Sequence, residues 1–170
     1  MAIIRIDIET LRATETGSAL GQIWIDFENL SLPCPRWDDF IVFVLDWWRR
    51  GIENILTQSD EPAIFAFMED MHEITITPVG GGLQYVSLFH DEENASGIED
   101  GTGLRDFLQS YCDVVRAVLN RIENEGGWQN TYDGSLSQIE DLRAALPRFE
   151  SLLGRFETVE HSLTLPIAPQ

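Results

Sequence analysis

Two short clusters in the amino-acid sequence hold the residue types that could do chemistry. His90-Asp91-Glu92-Glu93 places one imidazole beside three carboxylates, and Glu69-Asp70-x-His72-Glu73 lies one expected hairpin earlier. Brought together at one edge of a sheet, His72, His90, Asp91 and Glu69 would offer the nitrogen and oxygen donors that zinc or another transition ion takes. The carboxylates alone would suit the oxygen cage of magnesium or calcium. Neither cluster has the spacing of HExxH or of an EF-hand loop. A metal-dependent hydrolase or cation-binding domain is therefore the alternative reading, and no metal or other cofactor is expected. Paired carboxylates could also serve as general acid and base, which requires a cleft that drives their pKa values apart. Nothing in the pattern marks such a cleft.

Other catalytic signatures are missing. There is no GxSxG and no SxxK, the spacings that set up a serine nucleophile. Gly80-Gly81-Gly82 shares only its glycines with a phosphate-binding loop. It has no lysine, since the chain contains none, and it joins two expected strands, so it reads as a turn. Of three histidines, one, His161, lies in the tail. Cys34 sits between two prolines and Cys112 within a helical pattern, with no CxxC pair. Both read as isolated buried thiols of a reducing, cytoplasmic compartment. The first residues lack the charged and apolar regions of a signal peptide, and no run approaches the roughly 20 apolar residues of a membrane span.

Charge is the strongest signal. Twenty-nine acids face eleven bases, all arginine, for a formal net charge of −18. That sign excludes nucleic acid and anionic membrane as expected partners and favours a basic protein or a cation. The distribution is uneven. From Gly51 to Leu104 there is no basic residue, while Glu53, Asp60, Glu61, Glu69, Asp70, Glu73, Asp91, Glu92, Glu93, Glu99 and Asp100 all fall there. Repulsion within such a stretch costs stability, so a partner is its expected motive; solubility alone is the plain alternative. The expected partner-binding residues are accordingly Glu69, Asp70, Glu73, Asp91, Glu92, Glu93, Glu99 and Asp100, with Trp24 from a neighbouring strand.

The elements that must position these residues read as β-β-α-β-β-β-α-α. Ile4, Ile6 and Ile8 alternate with Arg5, Asp7 and Glu9, and Ile23, Ile25 and Phe27 with Trp24, Asp26 and Glu28, the period of half-buried strands. Pro33-Cys34-Pro35 stops the second strand. A helix is expected over 37–57, with Asp38 and Asp39 in its first turn. Phe40, Val44, Trp47, Trp48, Ile52 and Ile55 would form its apolar stripe, and Asp39, Asp46, Arg49 and Glu53 its wet face. Ala63 to Met68 is almost continuously apolar, as in a central strand covered on both faces. Glu73 to Val79 and Leu83 to Phe89 read as a hairpin, followed by an acidic loop from His90 to Gly103. Apolar residues from Leu104 to Ile122 recur at three and four, marking a helix that ends at Gly126-Gly127. Trp128 would plug the end of that helix layer. Ser137-x-x-Glu140 caps another helix, which Pro147 should kink or divide. Residues 160–170 read as a loose or edge-strand tail. Together these predict one α+β domain over 1–170, built on a twisted antiparallel sheet of about five strands with helices mainly on one face.

Trp24-Ile25-Asp26-Phe27 and Trp37-Asp38-Asp39-Phe40-Ile41-Val42-Phe43-Val44-Leu45-Asp46-Trp47-Trp48 are similar to a pattern in small bacterial proteins, and the layout resembles immunity proteins of polymorphic-toxin and contact-dependent growth-inhibition systems. That resemblance implies a small acidic cytoplasmic protein that binds and neutralises a toxin domain, often a basic nuclease. It transfers no functional residue. The expected function is non-enzymatic binding to a basic protein, with the metal-dependent hydrolase and a structural subunit of a larger assembly as alternatives.

Overall fold

The computed structural model describes residues 2–57, 62–68, 72–79, 82–89, 92–99, 103–124 and 133–163, without the side chains of Glu92, Glu93, Glu99, Asp133 and residues 155–163. Within these, two four-stranded antiparallel sheets and three helices make an α+β fold. The first sheet holds β1 (Ile3–Ala13), β2 (Ala19–Phe27), β3 (Leu30–Leu32) and β4 (Asp38–Phe40). The second holds β5 (Ala63–Ala66), β6 (His72–Val79), β7 (Gly82–Phe89) and β8 (Glu92–Glu99). The helices are α1 (Ile41–Leu56), α2 (Gly103–Asn124) and α3 (Leu136–Leu163), the last entered through a 3-10 turn at Asp133–Ser135. The class is as expected, but two sheets replace the single sheet of about five strands.

The extra strands come from segments whose sequences carry little alternation. After β2 the chain folds back as β3 against Ile25–Phe27, breaks at Pro33-Cys34-Pro35, and pairs again as β4 against Leu20–Gln22. The prolines thus interrupt a returning strand, while β2 itself ends at a tight turn before them. Cys34 lies exposed on this break, not buried. Because Asp38–Phe40 is committed to β2, α1 starts at Ile41 and not at Trp37. Asp39 is fully buried instead of lying on the wet face. Similarly, the expected acidic loop contains β8, which pairs along β7 from Leu83↔Glu99 to Phe89↔Glu92. Asn94-Ala95-Ser96-Gly97 has weak strand preference of its own; its place is decided by the partner strand.

Both sheets pack on α1 and α2. Ile41, Val44, Leu45, Trp48, Ile52 and Ile55 of α1 are buried at the helical period. Gly51 lets α1 approach β5, since a Cβ there would stand 3.2 Å from the Ala63 Cβ. Trp48, with no exposed surface, meets Phe65 at 5.6 Å and Phe67 at 5.0 Å edge-on, and its indole N–H donates to the Ala66 carbonyl at 2.8 Å. Phe65 in turn meets Phe107 of α2 at 5.1 Å. The sheets touch where Phe27 stacks on Tyr85 at 3.8 Å.

Beside the first sheet, α2 covers β1, an edge strand with unpaired backbone groups. The Ser110 hydroxyl accepts from the Ile4 amide at 2.9 Å and donates to the Phe107 carbonyl at 2.7 Å. α3 closes the helix layer with Ile139, Leu142, Phe149 and Leu153. Pro147 lies inside α3 without dividing it, and the helix continues through Glu160 to Leu163 where an edge strand was an alternative. Trp128 and residues 164–170 lie outside the described residues.

Candidate interaction surface

Of the residues marked by the sequence, Glu73 is exposed on β6, and Glu92, Glu93 and Glu99 belong to β8. Glu69, Asp70, His90, Asp91 and Asp100 lie outside the described residues. Trp24 sits on the other sheet, half-buried, so the fold does not bring it beside Glu73 within one sheet. Its indole N–H donates to Asp26 Oδ1 at 2.9 Å, the same oxygen that accepts from the Ser31 hydroxyl at 2.6 Å, while Arg5 Nε donates to Asp26 Oδ2 at 3.1 Å. These polar groups flank a shallow hollow of about 720 Å³ at the β2–β3 turn, already satisfied by one another. His72 is buried, stacked on Phe89 at 4.5 Å and edge-on to Trp37 at 5.2 Å. Among the described residues, no three of His, Cys, Asp and Glu group so as to hold a metal ion.

The second sheet has two unlike faces. Alternation turns Ala63, Phe65, Ile74, Ile76, Leu83 and Tyr85 inward to the helices. Strand register then lines up three rows on the outer face: Ile64, Thr75, Val86 and Ser96; Thr77, Gln84 and Ile98; and Ala66, Glu73 and Leu88. Ile64 is 54% exposed and Ile98 62% exposed. Cross-strand neighbours half-cover Thr75 and Val86. Among the described side chains of this face Glu73 is the one carboxylate, and no cation is present.

At one corner this surface meets a hollow of about 300 Å³ lined by Trp47, Ala66, Phe67, Met68, His72, Glu73 and Leu88. Trp47, expected in the apolar stripe of α1, is 46% exposed there, and Met68 is 40% exposed. Asp39 fixes that rim from below. Its Oδ2 accepts from the Met68 amide at 3.0 Å and from Trp37 Nε1 at 3.3 Å, and its Oδ1 accepts from the Phe40 amide at 2.7 Å. The Phe67 amide donates to the His72 carbonyl at 2.8 Å, closing the β5–β6 connection.

Neither isoleucine is marked by the sequence pattern. Ile64 belongs to a run that reads as a central strand, but β5 is an edge strand covered on one face only. Ile98 falls in the segment that reads as a loop. Compared with protein-family models, curated proteins and solved structures, the chain matches none.

Proposed function

We propose that the chain is a non-enzymatic binding protein for a basic protein, acting in the cytoplasm as the resemblance to immunity proteins implies, where the partner would be a toxin domain. One observation carries this reading: the whole second sheet, β5 to β8, lies within the stretch from Gly51 to Leu104 that has no basic residue. Between described side chains, no ion pair reaches that sheet, whereas Arg5, Arg12, Arg49, Arg116, Arg121, Arg143 and Arg148 each pair with a carboxylate elsewhere. Its carboxylates would stand in for phosphates over a basic groove and steer association from a distance. Neither nucleic acid nor an anionic membrane suits that sign. No described helix is long and apolar enough to cross a membrane.

The test is the association rate with a partner recovered by co-purification, followed from about 20 mM to about 300 mM salt as screening shortens. The expected result is a fall of at least about tenfold across that range. A salt-independent rate, or unchanged binding when Asp91, Glu92 and Glu93 are all replaced by Ser, refutes the reading.

A further inference from the structure

Seven large hydrophobic side chains are exposed among the described residues: Leu30, Trp47, Ile64, Met68, Val79, Phe89 and Ile98. Five of them fall within the same base-free stretch, Gly51 to Leu104, and Trp47 stands beside Met68 at the corner hollow. Of these, Ile64 and Ile98 stand on the outer face of the second sheet together with the half-buried Val86; exposed apolar side chains on one face are a cost in water and mark interaction sites. Their coincidence with one-signed charge is independent of the charge itself, since hydrophobic exposure and acid count need not share a location.

We infer that the outer face of the second sheet, centred on Ile64, Val86 and Ile98, is a docking surface for a basic protein surface with an apolar centre. This rests on the binding function proposed above and assigns it a place. The acids then steer and orient, as in the function proposed above, while the isoleucines hold the complex together. Charge decides the occupant. A second copy of this chain, docked face to face about a two-fold axis, would set Glu73 and the β8 segment against their own duplicates, each copy carrying a formal −18. A basic surface meets the same carboxylates with attraction.

The experiment uses the full chain, isotope-labelled for NMR, and two short synthetic probes: a peptide alternating lysine with valine, and one alternating lysine with serine. The lysine–valine peptide is expected to shift amide signals of β5–β8 and to bind at least about tenfold more tightly than the lysine–serine peptide. The double variant Ile64→Ser/Ile98→Ser should remove that advantage while its thermal unfolding stays cooperative. Gln84→Lys, at an exposed position between them, should weaken both peptides without removing any apolar side chain. If both peptides bind but shift signals of β1–β4 or the helices, the surface is wrongly placed and the basic-partner reading stands. If neither peptide binds at all, both the surface and the basic-partner reading are overturned. A dimer in sedimentation that dissolves on Ile64→Ser/Ile98→Ser makes the occupant a second copy and overturns the assignment.

Discussion

Asp39 shows how much one side chain can determine here. A carboxylate with no exposed surface is tolerated only if its oxygens are satisfied, and three N–H donors converge on it from β4, the preceding turn and the segment after β5. It thereby ties the first sheet to the rim of the hollow on the second. Asp39→Ala removes the acceptor from all three partly buried donors and is expected to cost about 3 kcal/mol, read as a Tm lowered by roughly 10 °C; Asp39→Asn, which keeps one acceptor oxygen, should lose less. Adjacent to Asp38, this residue looks in sequence like a helix-start acid. Nothing local separates the two, because what distinguishes Asp39 is an amide 29 positions away.

Two other buried groups give the fold a defined alkaline limit. Burial pushes the Cys112 thiol up from 9.0 to about 12, with Glu150 adding to the shift and Arg116 opposing it. Burial likewise drives the Tyr111 phenol well above 10.0, and its hydroxyl donates to the Leu45 carbonyl at 2.8 Å. Both groups stay protonated in the folded chain at a pH where the unfolded chain has lost the proton. Their contribution is therefore complete below pH 9 and lost as pH rises from 9 toward 12. Thermal melts across that window should show a steepening fall, and Cys112→Ala should flatten part of it.

At the scale of elements, pairing outweighs local preference. The strands legible in the sequence are β1, β2, β6 and β7, from their alternation, and β5, from its apolar run. β8 is illegible because its residues gain strand geometry from β7, and Gly97 shows why that segment has so little side chain. It lies opposite Tyr85, whose ring fills the space a side chain would take, with the phenol oxygen 2.7 Å from where a Cβ would stand. That ring is also the one stacked on Phe27 across the two sheets. Gly97→Val should push Tyr85 aside and cost about 2 kcal/mol. In a Tyr85→Ala background the same substitution should cost much less, a coupling measurable as a double-mutant cycle in denaturant. Edge or centre is equally a property of pairing. Ala63 to Met68 reads as buried on both faces because its composition is apolar, yet only its partners decide that Ile64 meets solvent.

For the whole molecule, acidity can be read without a structure, but where the acidity matters depends on the fold. The arginines are largely engaged with carboxylates around the helices and the first sheet, as in Arg116 with Asp113 and Glu150 or Arg148 with Glu53. This leaves the second sheet, which lies wholly within the sequence's one-signed stretch, without a described counter-charge. The consequence is a salt dependence of two signs. Raising ionic strength from about 0.01 M to about 0.15 M shortens the screening length from about 30 Å to about 8 Å. Self-repulsion in the free chain is then damped, so its Tm should rise. Over the same range the attraction to a basic partner weakens, so association should slow. Stability and binding measured on one preparation must move in opposite directions if the charge is held at the expense of folding and used in recognition. A Tm that does not change with salt would mean that the acids are locally compensated, and the second sheet would then lose its claim to be a charged docking surface.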